Sequence, residues 1–308
     1  MHILDMINKA SDQIEILPVS LLDAQRQLVE EMQQISEAMS IGLGWHYLLD
    51  LSWAAHHLGP RAGMRVMDAG AGTGIMQWWL ADQGVDVISA DRQSRAHLST
   101  GIRRRYRIKG LRHSDLDPLL LTFRDFLPSR SPRHWLQYPH KLAGSLRLWL
   151  EKTEPAAGKG TIVIYNQDLQ SIPDIADNSV DAIVSISALE HNSPEGLRDC
   201  LTELIRVLKP GGKLVATLVA AKDQDWFHEP SKGWCYTEAT LRDIFNLPNN
   251  CPSNYDRYDE LFETLQDCRE LRDRLADFYF QSGSNGMPWG IWDLRYQPVG
   301  VVKVKFSE

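Results

Sequence analysis

A glycine-rich turn at residues 68–74, DAGAGTG, is the first feature of the chain whose residue types could do chemistry. It joins a short apolar run, MRVMDAG, to the segment IMQWWLADQ, which has the pattern of a helix. Glycines let a backbone turn tightly and approach a ligand, and the first turn of a helix presents unpaired N–H groups to that ligand. Ile75 follows the last glycine, so the Gly-x-Gly-x-x-Gly spacing of a dinucleotide site is missing.

Three acidic residues accompany this turn. A carboxylate at Asp68 repels a pyrophosphate but suits a ligand with an ammonium group, such as S-adenosylmethionine (SAM), which also carries a sulfonium. Asp91 ends the next predicted strand and can accept hydrogen bonds from two vicinal ribose hydroxyls. Asp168 ends the third predicted strand, where it can accept a hydrogen bond from an adenine amino group. Successive parallel strands end at one edge of a sheet, so we predict that the three carboxylates face one ligand.

Composition is that of an ordinary globular protein. The chain has 308 residues, of which 43% are hydrophobic and 24% charged. No apolar run approaches the roughly 20 residues of a spanning helix, and the first residues lack the basic-then-apolar layout of a secretory signal. The four cysteines form no CxxC pair, which argues against a zinc site and a disulfide framework. We therefore expect a cytoplasmic protein with free thiols and no metal site.

Helical patterns precede the glycine turn, and alternating patterns follow it. Apolar residues recur at helical spacing over 21–35, and WHYLLDLSWAAHHL (45–58) predicts a second helix that Gly59 and Pro60 end. These patterns predict a helical N-terminal cap over residues 1–60 and a second domain over residues 61–308. From Met64, apolar runs alternate with helices, which is typical of a parallel sheet covered on both faces. PVGVVKVKF (298–306) predicts a final strand.

The order of the motifs resembles that of class I SAM-dependent methyltransferases. The motifs are DAGAGTG, VISAD, NQDL, VDAIVSISALEH and IRVLKPGGKL, which cover roughly residues 62–220 outside one inserted segment. The resemblance implies an α/β, Rossmann-like fold with helices on both faces of a seven-stranded, mostly parallel sheet. The implied strand order is 3-2-1-4-5-7-6, with the last strand of the chain antiparallel.

The resemblance also implies SAM as the cofactor and assigns residues to it. The three glycines of the turn would lie along its methionine part, Asp91 on its ribose, and Asp168 with Leu169 near its adenine. The full set of predicted cofactor contacts is Asp68, Gly70, Gly72, Gly74, Asp91, Arg92, Asp168, Leu169 and Ser187.

The end of the fourth predicted strand supplies the candidate general base. Methyl transfer from a sulfonium is an in-line displacement, so the protein mainly aligns the acceptor and excludes water. A base is needed only when the acceptor has a proton that must leave early. His191 can take such a proton near neutral pH, and Glu190 beside it is the second candidate catalytic residue. The alternative is that His191 only packs or hydrogen-bonds the loop. Candidates for substrate contact, with local packing as the equal alternative, are Trp45, Tyr47, Trp226, His228, Trp234 and Tyr236.

A basic segment interrupts the pattern between the second and third predicted strands. Residues 92–160 hold 15 Lys or Arg and 5 Asp or Glu, although the whole chain carries a net charge of -7. An arginine cluster at 103–107, RRRYR, opens it, and LDPLLLTFRDFL and HWLQYPHKLAGSLRLWL follow. Basic amphipathic helices favour anionic interfaces, so the helical insertion could form a platform for an anionic acceptor or a peripheral membrane contact. The alternatives are a solvated embellishment, a dimer contact and a nucleic-acid surface.

The expected function is SAM-dependent methyl transfer to a small-molecule acceptor, or a lipid- or sugar-linked one, through a hydroxyl, amine or carboxylate. SISALEH stands where exocyclic-amine DNA methyltransferases carry Asn-Pro-Pro-Tyr or Asp-Pro-Pro-Tyr, and the chain has no Pro-Cys dipeptide for covalent cytosine chemistry. Two alternative functions remain open. One is an RNA or other nucleic-acid methyltransferase, motivated by the basic segment. The other is a non-catalytic SAM-binding partner subunit.

Overall fold

The computed structural model of the protein describes residues 11–118, 158–273 and 292–306. The strands in these ranges are β1 (Gln13–Ile16), β2 (Arg65–Ala69), β3 (Asp86–Asp91), β4 (Arg107–Gly110), β5 (Thr161–Asn166), β6 (Val180–Ile186), β7 (Leu208–Ala220), β8 (Trp226–His228), β9 (Gly233–Tyr236) and β10 (Gln297–Val304). The helices are α1 (Leu21–Ala24), α2 (Arg26–Met39), α3 (Tyr47–Leu58), α4 (Met76–Asp82), α5 (Thr100–Arg105), α6 (Pro194–Val207), α7 (Glu238–Ile244), α8 (Tyr258–Gln266) and α9 (Arg269–Asp273).

One sheet organises these elements in the order β4-β5-β3-β2-β6-β7-β10-β1, with β9 and β8 attached at the end of β7. The strands from β4 to β7 in this order pair in parallel, and β10 is antiparallel to β7. The run β5-β3-β2-β6-β7-β10 confirms the predicted order 3-2-1-4-5-7 and its antiparallel final strand. In the predicted order, strand 6 lies at the edge of the sheet beside strand 7. In the structure β1 occupies this edge position, beside β10, and β4 forms an additional strand at the opposite edge, beside β5.

The segment before residue 60 is therefore not purely helical. α2 and α3 form as predicted, but β1 pairs with β10, with Gln13 opposite Val302. Asp12 fixes this register by accepting hydrogen bonds from the Val304 amide at 2.8 Å and the Lys303 ammonium at 2.9 Å. A strand of four residues has too little pattern of its own, and its place depends on a partner almost 300 residues away. The division into a cap and a second domain stays a prediction.

Both faces of the sheet are covered by apolar side chains. On one face Val66 and Val87 belong to the buried cluster that includes α3 and α4, and on the other Met67 and Ile88 belong to the cluster that includes α6. The side chains of neighbouring strand residues alternate between the faces, so a run buried on both sides is mostly apolar. In the described ranges, no helix combines the length and hydropathy that a bilayer crossing requires.

Residues 92–118 and 158–160 of the basic insertion fall in the described ranges. Three of its clustered arginines, residues 103–105, lie in the last turn of α5, and Arg107 begins the edge strand β4. Most of LDPLLLTFRDFL and all of HWLQYPHKLAGSLRLWL lie outside the described residues.

Candidate functional site

A cavity of about 490 Å³ lies where β2, β3, β5 and β6 end. All nine predicted cofactor contacts line it: Asp68, Gly70, Gly72, Gly74, Asp91, Arg92, Asp168, Leu169 and Ser187. The wall also includes an apolar stretch before and within α3: Ile41, Gly42, Leu43, Tyr47 and Leu51. The strand ends thus bring together side chains that are up to 119 positions apart in the chain.

The glycine turn is held tightly against the segment that follows β6. Gly70 has a φ of 78°, and its amide donates to the Ala90 carbonyl at 2.9 Å. A Cβ atom at Gly70 would lie 2.4 Å from the Cβ atom of Ala188, closer than side chains can approach. Only glycine therefore satisfies both the backbone angle and the space at this position.

Two buried polar side chains support the turn from below, and sequence reasoning missed both. The Arg95 guanidinium donates to the carbonyls of Ser89 at 2.6 Å and Gly72 at 3.4 Å. The Gln77 side-chain amide donates to the carbonyls of Gly72 at 3.3 Å and Gly74 at 3.1 Å. An arginine in a basic stretch predicts a solvent-facing side chain, so nothing in the pattern distinguishes Arg95 from its exposed neighbours.

Asp68 carries a buried carboxylate oxygen, Oδ2, that has no hydrogen-bond partner among the described residues. Burial raises the pKa of Asp68 to about 7, the charge of Arg95 opposes the shift, and the charge of Asp91 adds to it. A buried acceptor without a donor is costly unless a ligand supplies one. The cavity is therefore suited to a group that brings a positive charge to Asp68.

The Asp91 carboxylate is oriented by the backbone around it. Its Oδ2 accepts from the Gly72 amide at 2.8 Å and its Oδ1 from the Gln93 amide at 2.7 Å. A carboxylate oxygen accepts about two hydrogen bonds, so each oxygen keeps one acceptor direction for a ligand. Asp168 is exposed at the cavity rim, and its Oδ1 accepts from the Gln170 amide at 3.0 Å.

His191 and Glu190 share a single 3₁₀ turn, Leu189–His191, but they differ in accessibility. His191 is exposed and lines the cavity, and its Nδ1 lies 2.9 Å from the Lys232 carbonyl. A carbonyl only accepts, so Nδ1 donates and Nε2 carries the lone pair of the neutral ring. Glu190 is buried behind the wall, where its Oε1 accepts from the Ser187 hydroxyl at 2.5 Å.

Of the six residues predicted for substrate contact, Tyr47 lines the cavity and the others lie outside its lining. Trp45 is buried, with its ring centroid 5.3 Å from that of Tyr296. Tyr236 is buried and its hydroxyl donates to the Asn192 carbonyl at 2.9 Å, a contact that fixes β9 to the β6 loop. The remaining three lie on β8 and β9: Trp226, His228 and Trp234. Their contact with a substrate stays a prediction.

Comparison with known proteins agrees with this geometry. A family model described as a methyltransferase domain matches residues 145–216. A demethylmenaquinone methyltransferase from Renibacterium salmoninarum is 28% identical over 230 residues, which are 73% of this chain and 68% of the relative. These two matches support a class I SAM-dependent methyltransferase.

Solved structures similar to this methyltransferase include two that hold the cofactor or its product. Haemonchus contortus phosphoethanolamine N-methyltransferase 2, in complex with SAM, is 15% identical with a TM-score of 0.45, over 94% of this chain and 60% of that one. Burkholderia thailandensis 1,6-didemethyltoxoflavin-N1-methyltransferase, with S-adenosylhomocysteine, is 14% identical with a TM-score of 0.36, over 74% of this chain and 71% of that one.

The residues of the methyltransferase cavity fit its cofactor, SAM. The ligand's ammonium group matches the unpartnered Oδ2 of buried Asp68, and its ribose hydroxyls match the free acceptor directions of Asp91. At the glycine positions of the turn, backbone atoms line the cavity. The two carboxylates and the turn therefore offer a cationic nucleoside both the charge and the space that it needs.

The Gly70→Ala variant should lose SAM binding and cost more stability than a matched glycine elsewhere. Gly63 is the control because its φ is 83° and a Cβ atom there would meet nothing within 4 Å. Gly63→Ala should lower the free energy of unfolding by about 1–2 kcal/mol, the cost of a left-handed backbone. Gly70→Ala should cost about 1–3 kcal/mol more because of the clash with Ala188. Denaturant unfolding and SAM titration measure both effects.

Adding Ala188→Gly to Gly70→Ala tests whether that clash is the cause. The double variant should recover most of the additional loss of stability, because the atom that blocks the new methyl group is gone. Equal costs for Gly63→Ala and Gly70→Ala, with SAM affinity retained in both, would contradict the close approach of the turn to Ala188.

Proposed function

We propose that this methyltransferase transfers the methyl group of SAM to a small-molecule acceptor that carries an ionisable proton, with a hydroxyl-bearing ring as the acceptor class. The observation that carries the proposal is the Nε2 atom of His191, which has a fixed tautomer and stands on the cavity wall. A base is useful only if the acceptor loses a proton. The name of the Renibacterium relative, which refers to a quinone, supports a ring of this kind.

Each of the cavity residues would have its own role in binding SAM or in the reaction. Asp68 binds the ammonium group, Asp91 the ribose hydroxyls, and Asp168 with Leu169 the adenine. When bound, SAM supplies a methyl group on a positively charged sulfur. Nε2 of His191 accepts the acceptor's proton, while apolar side chains of the opposite wall, Leu43 and Leu51 among them, exclude water.

The small-molecule proposal is favoured over nucleic acid by the location of the arginine cluster at 103–107. The cavity is bounded by α3 and the strand ends, whereas the residues at 103–107 are absent from its lining and belong to α5 and the edge strand β4. The acceptor would enter beside residues 41–43 and the turn that holds His191.

Affinity for SAM should depend on pH through Asp68. Binding of the ammonium group needs the ionised carboxylate, and burial sets the pKa of Asp68 at about 7 in the free protein. The dissociation constant should therefore be level above about pH 8 and rise about tenfold for each pH unit well below 7. Isothermal titration across pH 5.5–8.5 measures this, and at pH 7 in different buffers it should detect proton release on binding.

Asp68→Asn is the control for that titration. The asparagine side chain has the shape of aspartate but cannot ionise. The variant should therefore bind SAM more weakly than the wild type at pH 8, and residue 68 should contribute no change in its affinity between pH 5.5 and 8.5. A wild-type dissociation constant that stays constant down to pH 5.5 would remove Asp68 from contact with the ammonium group.

Methyl transfer itself should be seen with SAM labelled on its methyl group. We expect label in small phenols or quinols and none in RNA. Asp91→Ala should raise the SAM dissociation constant by a factor that corresponds to about 1–3 kcal/mol, because charge-assisted hydrogen bonds are lost. Asp86→Ala is the matched control, since Asp86 begins the same strand at its far end, where its Oδ1 accepts from the Thr161 amide at 2.8 Å.

Other outcomes of the labelling experiment would support one of the two alternative functions. Label in RNA alone would favour a nucleic-acid methyltransferase. Tight SAM binding with no labelled product from any acceptor would favour a non-catalytic partner subunit. Equal SAM affinity in Asp91→Ala and Asp86→Ala would remove Asp91 from the ribose.

A further inference from the structure

A network of buried polar side chains lies beneath the glycine turn. Its members, Arg95, Ser89 and Gln77, are absent from the cavity lining. The Nη2 atom of Arg95 donates to the carbonyls of Ser89 on β3 at 2.6 Å and of Tyr165 on β5 at 3.2 Å. Its Nη1 atom donates to the Gly72 carbonyl at 3.4 Å. One guanidinium therefore joins two strands of the sheet to the turn.

Further hydrogen bonds close this network. The Ser89 hydroxyl accepts from Nη1 of Arg95 and donates to Oε1 of Gln77 at 2.6 Å. An arginine only donates, so the single proton of the Ser89 hydroxyl is left for Gln77. The Gln77 amide nitrogen donates in turn to the carbonyls of Gly72 at 3.3 Å and Gly74 at 3.1 Å. The Gly72 carbonyl thus accepts from two donors that come from different elements, the segment after β3 and the helix α4.

The geometry of these contacts requires an arginine. A guanidinium carries five N–H donors in a rigid planar fork, whereas the ammonium of a lysine is a compact charge on a flexible stem. Each hydrogen bond that the Arg95 guanidinium makes to a described residue goes to an uncharged oxygen. A buried cation is costly without an ion pair. The contribution of Arg95 is therefore the direction of its donors.

Gly72 is the residue on which the network acts. It has a φ of 48°, a left-handed conformation that glycine enters and leaves easily. Its amide donates to Oδ2 of Asp91 at 2.8 Å, and its carbonyl is held by Arg95 and Gln77. The backbone of Gly72 therefore cannot rotate without breaking hydrogen bonds on one side or the other. The orientation of the Asp91 carboxylate, which accepts from the Gly72 amide, depends on the same contacts.

We propose that Arg95 is a positioning residue for SAM. Together with Ser89 and Gln77 it fixes Gly72, so that the Asp91 carboxylate is oriented for the ligand before the ligand binds. This deepens the proposed function, because it rests on the proposed contact of Asp91 with the ribose, but it requires no acceptor. A site that is ordered in advance binds more tightly, since less conformational freedom is lost on binding. Arg95 thus contributes to SAM affinity without touching SAM.

The order of the turn is measurable without any ligand. In protein labelled with ¹⁵N-glycine and free of SAM, the bond to Asp91 should protect the Gly72 amide from hydrogen exchange. In Arg95→Lys this amide should exchange about tenfold faster or more, because an ammonium cannot hold the same carbonyls together. The Gly70 amide, which donates to the Ala90 carbonyl at 2.9 Å, is the internal control and should change by less than about twofold. Equal acceleration at both glycines, or none at Gly72, overturns the proposal.

SAM affinity, measured by titration calorimetry, tests the consequence for binding. Arg95→Lys should raise the SAM dissociation constant about tenfold or more, the equivalent of one charge-assisted hydrogen bond. Arg242→Lys is the matched control, since the Arg242 guanidinium also donates to two loop carbonyls, those of Pro248 at 3.1 Å and Cys251 at 2.9 Å, and is absent from the cavity lining. This control should lose stability in denaturant unfolding but keep its dissociation constant within about twofold of the wild type. Equal dissociation constants in the two variants would contradict a role of Arg95 in binding.

A double-mutant cycle tests whether Arg95 acts through Asp91. In an Asp91→Ala background, Arg95→Lys should raise the SAM dissociation constant by less than about threefold, because the carboxylate that the network orients is gone. In an Asp168→Ala background, which leaves the network intact, the same substitution should keep its full effect. A full effect of Arg95→Lys in both backgrounds would refute its action through Asp91.

Ser89→Ala keeps the proposal testable if Arg95→Lys does not fold. It removes only the hydroxyl that joins Arg95 to Gln77, and it should raise the SAM dissociation constant about threefold or more. Ser52→Ala is its control, because it removes a buried hydroxyl that donates to the Leu48 carbonyl at 2.7 Å, within α3, and should leave SAM affinity unchanged. Equal affinity in these two variants counts against the network.

The outcomes also separate this proposal from the proposed function. Wild-type affinity in Asp91→Ala refutes the ribose contact, even where the Gly72 amide exchanges as stated. Weakened binding in Asp91→Ala, with wild-type affinity in both Arg95→Lys and Ser89→Ala, overturns the role of Arg95 alone.

Discussion

The approach of the glycine turn to the segment after β6 is the constraint on which the site depends. With Gly70 against Ala188, only the Ala188 methyl group lies between the turn after β2 and the segment after β6. Asp91 then reaches the Gly72 amide from β3 at 2.8 Å, so a third strand end is tied to the same turn. The cavity forms because parallel strands end together around a turn that is rich in glycine.

Electrostatics then determine what the cavity can hold. In the described ranges, Asp68 and Asp91 face it with one buried counter-charge, Arg95, whose guanidinium donates to the carbonyls of Ser89 and Gly72. Outside the cavity lining, the buried Asp50 carboxylate lies 2.5 Å from Nδ1 of His46. Three buried carboxylates, those of Asp50, Asp68 and Glu190, each have one oxygen without a hydrogen-bond partner in the described part of the chain.

The parts of the site that the sequence predicted are those encoded locally. A strand, a glycine turn and a helix follow one another within about twenty residues, and each acidic residue follows its own apolar run, so Asp68, Asp91 and Asp168 could be placed at one edge before any coordinates. The start of α6 is also encoded locally, because the Ser193 hydroxyl accepts from the Gly196 amide at 3.2 Å and Pro194 is the first helical residue. The order of the central strands followed from the family resemblance rather than from periodicity.

Features that depend on distant partners escaped prediction. β1 has four residues, and only its pairing with β10 makes it a strand. Arg95 is polar in sequence and buried in structure because the carbonyls it serves come from β3, β5 and the glycine turn. His46 and Asp50 are four residues apart, which allows contact on a helix, but the buried ring of His46 packs against Trp45 and Tyr296, which the spacing does not predict.

A crystal structure of the protein with S-adenosylhomocysteine would show directly whether the two carboxylates hold the cofactor. We expect density in the cavity at the ends of β2, β3, β5 and β6, with both ribose hydroxyls on the Asp91 carboxylate and the ammonium group on Oδ2 of Asp68. A ligand bound elsewhere, or bound in the cavity without contact to either carboxylate, would contradict these roles of Asp68 and Asp91.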